Sequence, residues 1–371
     1  MNNFKKLIRF ILIYGISYTL FKVMGRSRFR CFSIRQLRDA NIGVIGTGQY
    51  AYATLGYWIN KFFGNKFIAC YDIDKFNEKT FKNFYQIKSM HLSADDLIHS
   101  EKVKYVYITS NHATHTDYAL IAIAAQKITY IEKPISVNEI EFIKLVKAVR
   151  LSKSAVYAGY NRPFSKVIKA LRSHSINATG PFTLNCFVIG HHLDANHWYR
   201  NPEEGTRVCG NIGHWVDLSL HISAWHGLPD KWLITLSYGS IKSRDENLSI
   251  CLTSEKGDLI SIVFSAKGDP FEGVSEAISY HQEDLICKID NFRSMSIWQG
   301  SNYKKYSYFP KDAGSGLALA QPFLNKGDGW TKRWAEVENS TLMLLSIRDM
   351  VLKEEKIRSF SFSEAWKNLG I

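Results

Sequence analysis

Short apolar runs alternate with longer amphipathic stretches through the first half of the chain. Residues 41–45, 67–71, 104–109, 128–131 and 155–159 are nearly continuous apolar runs, the pattern of strands buried on both faces. Helical spacing follows at residues 48–63, 114–126 and 137–150. Strand–helix alternation of this kind predicts a doubly wound parallel sheet. After residue 172 the pattern changes. Residues 182–190, 231–239, 248–253, 259–265, 277–281, 285–289, 296–298 and 304–309 read as extended, and several alternate, as in Leu248-Ser-Ile-Cys-Leu-Thr253. Alternation predicts a large, mostly antiparallel open sheet with one covered face. Helices at residues 211–225 and 330–352 complete an α+β domain. The expected organisation is an arm at 1–39, an α/β domain at 40–160 and an α+β domain at 161–371, with the final helices packing back on the first domain. A length of 371 residues also favours two cores over one.

Composition changes little in this picture, and charge changes one part of it. Apolar residues make up 46% and charged residues 22%, an ordinary globular balance. The six cysteines are scattered without a CxxC pair, which argues against a disulfide framework and for a reducing, cytoplasmic setting. The net charge is +13, yet nine Lys/Arg and a single acid fall within residues 1–40. The body has no basic-aromatic pattern of a nucleic-acid groove. Residues 10–21 carry no charge. As a helix they would measure about 18 Å, too short for a hydrocarbon core of about 30 Å. Three readings stand. The arm is a basic amphipathic helix at the inner face of an anionic membrane, a helix packed on the body or a partner subunit, or a cleaved signal, although no small-x-small site follows it.

The run at residues 41–45 enters Gly46-Thr47-Gly48-Gln49-Tyr50-Ala51, a Gly-x-Gly-x-x-Ala turn between strand and helix. Gly46 permits the turn, Gly48 lets backbone approach a pyrophosphate, and Ala51 lets helix and strand pack closely. The helix start offers free N–H groups to phosphate oxygens. The second strand ends at Asp72, 26 residues after Gly46. A carboxylate there accepts from ribose hydroxyls and repels a 2′-phosphate, so NAD is expected over NADP. Neighbouring Asp74 reads as a turn residue. Two more strand ends carry chemistry: Thr109-Ser110-Asn111-His112-Ala-Thr-His115 and Glu132-Lys133-Pro134. Pro134 biases Lys133 toward extended backbone.

These motifs, in this order and spacing, resemble the glucose-fructose oxidoreductase/inositol dehydrogenase/rhizopine-catabolism family over residues 41–371. Tyr160-Asn161-Arg162-Pro163-Phe164 resembles its crossover, the stretch from Gly205 to Leu218 its active-site helix, and Asp290-Asn-Phe-Arg293 a strand motif of one branch. The resemblance implies a Rossmann domain followed by the α+β domain. It implies that Lys133 lies beside the nicotinamide and the reacting hydroxyl, where a lysine shuttles a proton. It makes His214 a second proton carrier or hydroxyl ligand. The family commonly places an acid three or four residues before that histidine. Here those positions are Asn211 and Gly210, so an acid-assisted step is in doubt. Asp217, one turn on, either orients His214 or braces its helix. Expected cofactor contacts are Gly46, Thr47, Gly48, Gln49, Tyr50, Asp72, Thr109, Ser110, Asn111, His112, His115, Glu132, Lys133 and Asn161. Arg162, His197, Trp198, Tyr199 and Arg207 are expected to meet substrate. His191, His192, Asp194 and His197 do not match a common zinc spacing and read as lining of a polar cleft, so no metal is expected.

The expected activity is hydride transfer to or from a hydroxyl or keto carbon of a sugar or nucleotide sugar, in an enzyme of surface-polysaccharide synthesis. The alternatives are a weakly catalytic NAD-binding sensor or scaffold, and a glycosidase that uses NAD transiently. A homodimer or tetramer is implied by the family alone.

Overall fold

Five short apolar strands pair in parallel in the order β2-β1-β3-β4-β5: β1 (Ile42–Ile45), β2 (Phe67–Tyr71), β3 (Tyr105–Ile108), β4 (Ile128–Ile131) and β5 (Val156–Ala158). This is a computed structural model, which describes residues 2–89, 91–194, 196–268, 270–324 and 329–371. The strand order reverses between β1 and β3, the switch point where open α/β sheets bind ligands. Ile45 lies level with Tyr71 and with Ile108, and Ile108 with Ile131. The next residues, Gly46, Asp72, Thr109 and Glu132, therefore form one row at the carboxyl ends of four strands.

The chain divides into two compact units. One comprises Gly15–Tyr160 and Ser315–Ala335; the other comprises the first helix (Asn2–Tyr14), Asn161–Gly314 and Glu336–Ile371. The parallel-sheet unit thus includes more of the chain than residues 40–160. Helix Ile16–Ser27 puts Phe21 and Met24 into the core with Tyr52, Phe84 and Tyr107. Phe21 meets Phe84 edge-on at 5.7 Å, and Tyr52 stacks on Phe84 at 4.8 Å. The segment after that helix is stitched down as well: Ile34 N–H donates to Phe84 O, and Leu37 N–H to Asn65 O. Burial of Phe21 and Met24 is favourable by about 1.5–3 kcal/mol each, while the flanking charges stay hydrated outside. Helix Ser315–Leu324 joins the same core, where Leu319 O accepts from the buried Tyr107 hydroxyl at 2.7 Å.

The second unit carries a nine-stranded sheet. Its strands are β6 (Thr183–Ile189), β7 (Lys231–Tyr238), β8 (Asn247–Ser254), β9 (Leu259–Ser265), β10 (Ser275–Gln282), β11 (Leu285–Asp290), β12 (Ser294–Gln299), β13 (Asn302–Ser307) and β14 (Ile357–Ser361). Their order is β13-β12-β11-β10-β6-β9-β8-β7-β14, antiparallel except for β6 beside β9. Alternate residues of β6, β8, β9 and β10 are buried, as their patterns require. Exposed Lys304 and Lys305 lie on the free edge strand β13, a placement that discourages edge-to-edge pairing. The first helix is tied to this unit, since Lys311 N–H donates to Ile13 O at 2.8 Å and Arg9 pairs with Glu272.

Candidate active site

The turn after β1 is built as the sequence spacing requires. Gly46 has φ 84°, and a side chain there would strike the Ser110 backbone at 2.4 Å. Gly48 is different, because a β-carbon there would meet nothing within 4 Å. No packing demand from the protein explains Gly48, whereas a backbone left open to an approaching pyrophosphate does. The following helix begins with a π-turn at Ala51–Leu55, a distortion frequent at functional sites.

Asp72 is more occupied than a bare ribose acceptor. Its Oδ2 accepts from Thr47 N–H at 2.6 Å and Thr47 Oγ1 at 3.0 Å, and its Oδ1 from Asp74 N–H at 2.9 Å. Asp74 caps helix Lys75–Phe84 through Phe76 and Asn77 N–H. Thr47 is fully buried, so its side chain serves Asp72, while Gln49 at the helix start is exposed. Arg28, from the arm, donates from Nη2 to Thr47 O at 3.0 Å. No local signal marked Arg28 in the sequence, since it lies 44 residues before Asp72.

At β3 the Thr109 hydroxyl donates to Gly46 O at 2.6 Å, locking two strand ends together. Ser110 is half-buried and its Oγ accepts from Thr114 Oγ1, and Asn111 is exposed. His112 is buried, its ring 5.8 Å from that of His115. His115 is fully buried with Nδ1 at 2.7 Å from Pro134 O and Nε2 at 3.0 Å from Ser110 O. Burial pulls its pKa down to about 4, so the neutral ring donates to one carbonyl. Buried with one N–H bonded to a carbonyl and its other nitrogen against a second carbonyl, His115 packs at the junction of the β3 and β4 loops.

Glu132 follows β4. Burial pushes its carboxyl up to about 7, against the opposing pull of Lys133 and the hydroxyls of Tyr50 and Tyr130. A side chain at Gly159 would lie 2.1 Å from Glu132 Oε2, so the carboxyl fits only because glycine follows β5. Lys133 is half-buried beside it, and the Lys133–Pro134 bond is cis.

The second unit gathers most of the remaining candidates. His214 is half-buried on helix Gly213–Ser223, directly after a second π-turn at Val208–Ile212. Arg207, only 1% exposed, donates from Nε to Asn211 Oδ1 at 3.3 Å and from Nη2 to His191 O at 2.6 Å. Its Nη1 is buried and meets no acceptor among the described residues. Burial, then the charges of Arg207 and Arg200, lowers the His197 pKa. His197 Nδ1 accepts from Tyr199 N–H, and its ring stacks near Trp198. Asp217 is buried and accepts from Ser340 Oγ at 2.9 Å, a bond that braces the helix.

Asn161 and Arg162 both bond within the second unit. Asn161 Nδ2 donates to Ala313 O at 2.8 Å and its Oδ1 accepts from Arg162. Arg162 Nη2 meets Glu276 Oε1 at 2.5 Å, and Lys311 meets Glu276 Oε2 at 2.9 Å. The Arg162 guanidinium also lies 5.4 Å over Trp215. Burial alone would raise the Glu276 pKa, but the two cations outweigh it and hold it low. Arg162 is therefore one of two cations that flank the buried Glu276 carboxylate. Glu276 and Lys311 escaped the sequence reading because 114 residues separate Arg162 from Glu276. Among the described residues no three His, Cys, Asp or Glu side chains gather as a metal site.

Comparison with known proteins agrees with this geometry. Residues 40–160 match the model of the oxidoreductase family with an NAD-binding Rossmann fold. The inositol 2-dehydrogenase of Serratia proteamaculans is 26% identical over 205 residues, 54% of this chain and 56% of that one. That of Azotobacter vinelandii is 31% identical over 150 residues, 39% of this chain and 44% of that one. The chain spans about half the length of the curated relatives it matches. UDP-N-acetylglucosamine 3-dehydrogenase of Acidithiobacillus ferrooxidans shares the fold at TM-score 0.66, with 15% identity over 85% of this chain and 97% of that one. GenD2 from gentamicin A biosynthesis, solved in complex with NAD, does so at TM-score 0.68, with 12% identity over 90% of this chain and 99% of that one. Residues 40–160 of the parallel-sheet unit thus match the NAD-binding Rossmann domain of the glucose-fructose oxidoreductase/inositol dehydrogenase/rhizopine-catabolism oxidoreductase family.

Proposed function

We propose that the protein is an NAD(H)-dependent dehydrogenase or reductase acting on a hydroxyl or keto carbon of a sugar or nucleotide sugar. The observation that carries this reading is the single row of Gly46, Asp72, Thr109 and Glu132–Lys133 at the switch point, with Gly48 left open. Gly46, Gly48 and the helix start would hold the pyrophosphate, and Asp72 the adenosine ribose. Bound there, the dinucleotide would accept or return the hydride. In the oxidative direction Lys133 Nζ takes the hydroxyl proton as the carbon loses hydride and becomes a ketone; reduction returns both. The buried Arg207 guanidinium and Asn211 support a polar, hydroxyl-rich substrate, for which an Nη1 without an acceptor among the described residues is suited. The test is NADH absorbance across a panel of inositols, sugars and nucleotide sugars. NAD binding without turnover of any member would favour a sensor, and glycoside cleavage without net NADH would favour the glycosidase.

A role in surface-polysaccharide synthesis and a place at an anionic membrane form the finer part of the proposal. Helix Asn2–Tyr14 buries Ile13 but exposes Phe4, Leu7, Ile8 and Leu12, with Lys5 and Arg9 on the flank. That face suits shallow insertion into anionic lipid. Deleting residues 1–38 would remove Phe21 and Met24 from the core, so the sound test is Phe4→Asp with Leu12→Asp. Loss of flotation with anionic vesicles supports the reading, and unchanged flotation overturns it. Homo-oligomerisation through the open face of the nine-stranded sheet completes the proposal, tested by light scattering.

A further inference from the structure

Residues 1–38 contain no Asp or Glu. Within that run, residues 16–38 belong to the parallel-sheet unit and carry Lys22, Arg26, Arg28, Arg30, Arg35 and Arg38 among large apolar residues. Helix Ile16–Ser27 turns Phe21 and Met24 into the core. Ile16, Leu20 and Val23, spaced by four and then three residues, share another stripe of the same helix, and all three are exposed, Ile16 at 72%. A surface helix with one packed face normally fills the opposite face with polar residues. Here the exposed stripe is apolar, and exposed Arg26 follows it one turn later.

The segment after the helix is held down and still presents apolar groups. Ile34 N–H donates to Phe84 O at 2.8 Å, Gln36 Nε2 to Phe67 O at 2.6 Å, Gln86 Nε2 to Ser33 Oγ at 2.7 Å and Arg30 Nη1 to Asn83 O at 3.0 Å. Phe29 nevertheless stays 71% exposed, and Phe32 and Leu37 are exposed as well. They alternate in sequence with exposed Arg30, Arg35 and Arg38. The fold gains nothing from an isoleucine or a phenylalanine left in water, so this exposure marks an interaction surface.

The charge selects the partner. A second copy of the same surface would set six cations against six, with no acid to pair them. An anionic bilayer offers negative charge to the arginines and an acyl boundary to the apolar side chains, and it requires no matching shape.

We propose that residues 16–38 form a second lipid-binding surface, on the parallel-sheet unit, that docks on an anionic membrane leaflet. The inference rests on the membrane reading of the first helix and goes beyond it, since it gives the parallel-sheet unit a lipid contact of its own. Two weak contacts in one chain hold more tightly than either alone.

The test is flotation of the full chain with vesicles of phosphatidylcholine alone and of phosphatidylcholine with about one-third phosphatidylserine. Three double variants are compared with the parent: Ile16→Asp with Phe29→Asp, Arg35→Gln with Arg38→Gln, and Phe4→Asp with Leu12→Asp. Ile16 opens its helix, a position where an acid is favourable. Expected is binding to the anionic vesicles alone, weakened about tenfold or more in the Ile16 and Phe29 pair and about fivefold per arginine removed. If the first two variants bind like the parent while the Phe4 and Leu12 pair does not, the inference is overturned and the first helix keeps its membrane role. Absence of flotation by the parent overturns both readings. Equal binding to neutral and anionic vesicles overturns the selection by charge. Melting of the arginine pair, which removes exposed charge only, should match the parent's and so separates lost contact from lost fold.

Discussion

The two units solve the same problem, placing polar chemistry in a folded interior, in opposite ways. The parallel-sheet unit hangs its groups on strand ends, and backbone does most of the holding: Gly46, the carbonyls around His115, and the N–H groups at Asp72. The nine-stranded unit relies on side chains brought together from far apart in the sequence, as in Arg162–Glu276–Lys311. Backbone scaffolding leaves a local spacing in the sequence. Side-chain scaffolding leaves none.

The comparison breaks first at Lys133. If its role is chemical, Lys133→Ala lowers kcat by about 10²–10⁴ while dinucleotide affinity and melting stay near the parent's. Lost affinity instead would make Lys133 another scaffold group. Next is Glu276→Gln, which leaves two buried cations unpaired and should cost about 3–5 kcal/mol in urea unfolding. Because the Glu276 pKa is held low, its contribution is present above the unfolded carboxylate range and fades as pH falls through the folded value. The variant should lose that acid sensitivity.

A smaller effect tests the parallel-sheet unit. The Glu132 carboxyl is raised to about 7, so its contribution is full below the unfolded value near 4.5 and is lost as pH rises toward 7, by ~3 kcal/mol. His115, lowered to about 4, works the other way: its contribution is full above about 6.5 and lost as pH falls. The two slopes oppose each other in between. Glu132→Gln should therefore leave a melting temperature that climbs from pH 4 to 6.5 and then stays level. A continued fall above neutrality would contradict the assignment. The smallest effect belongs to Thr47→Val, which removes one hydroxyl from Asp72 and should cost about 1 kcal/mol in stability or a few-fold in dinucleotide affinity.

How much was legible follows the same division. All five parallel strands, the Gly46–Asp72 spacing and the change to alternating strands after residue 172 were visible, because each depends on neighbours in the chain. Strand β14, Ile-Arg-Ser-Phe-Ser, was not: an edge strand of five residues with an arginine in it carries little periodicity. Residues 15–39 read as an arm because nine basic residues before position 41 mask Phe21 and Met24, whose burial only the tertiary structure reveals. His115 is expected at the cofactor only through the family resemblance, because a histidine after a strand end gives no sign of where its nitrogens point.

The pairing of Arg9 with Glu272 and of Ile13 O with Lys311 sets an order in time. The first helix leaves the ribosome early, and its ion-pair partner is made 263 residues later. At roughly 5–20 residues per second, that is a wait of about 13 to 53 seconds. For that interval the amphipathic helix is made while these partners are not, so nascent chains that end before Glu272 should offer it to chaperones and proteases, and chains that include Glu272 and Lys311 should withdraw it.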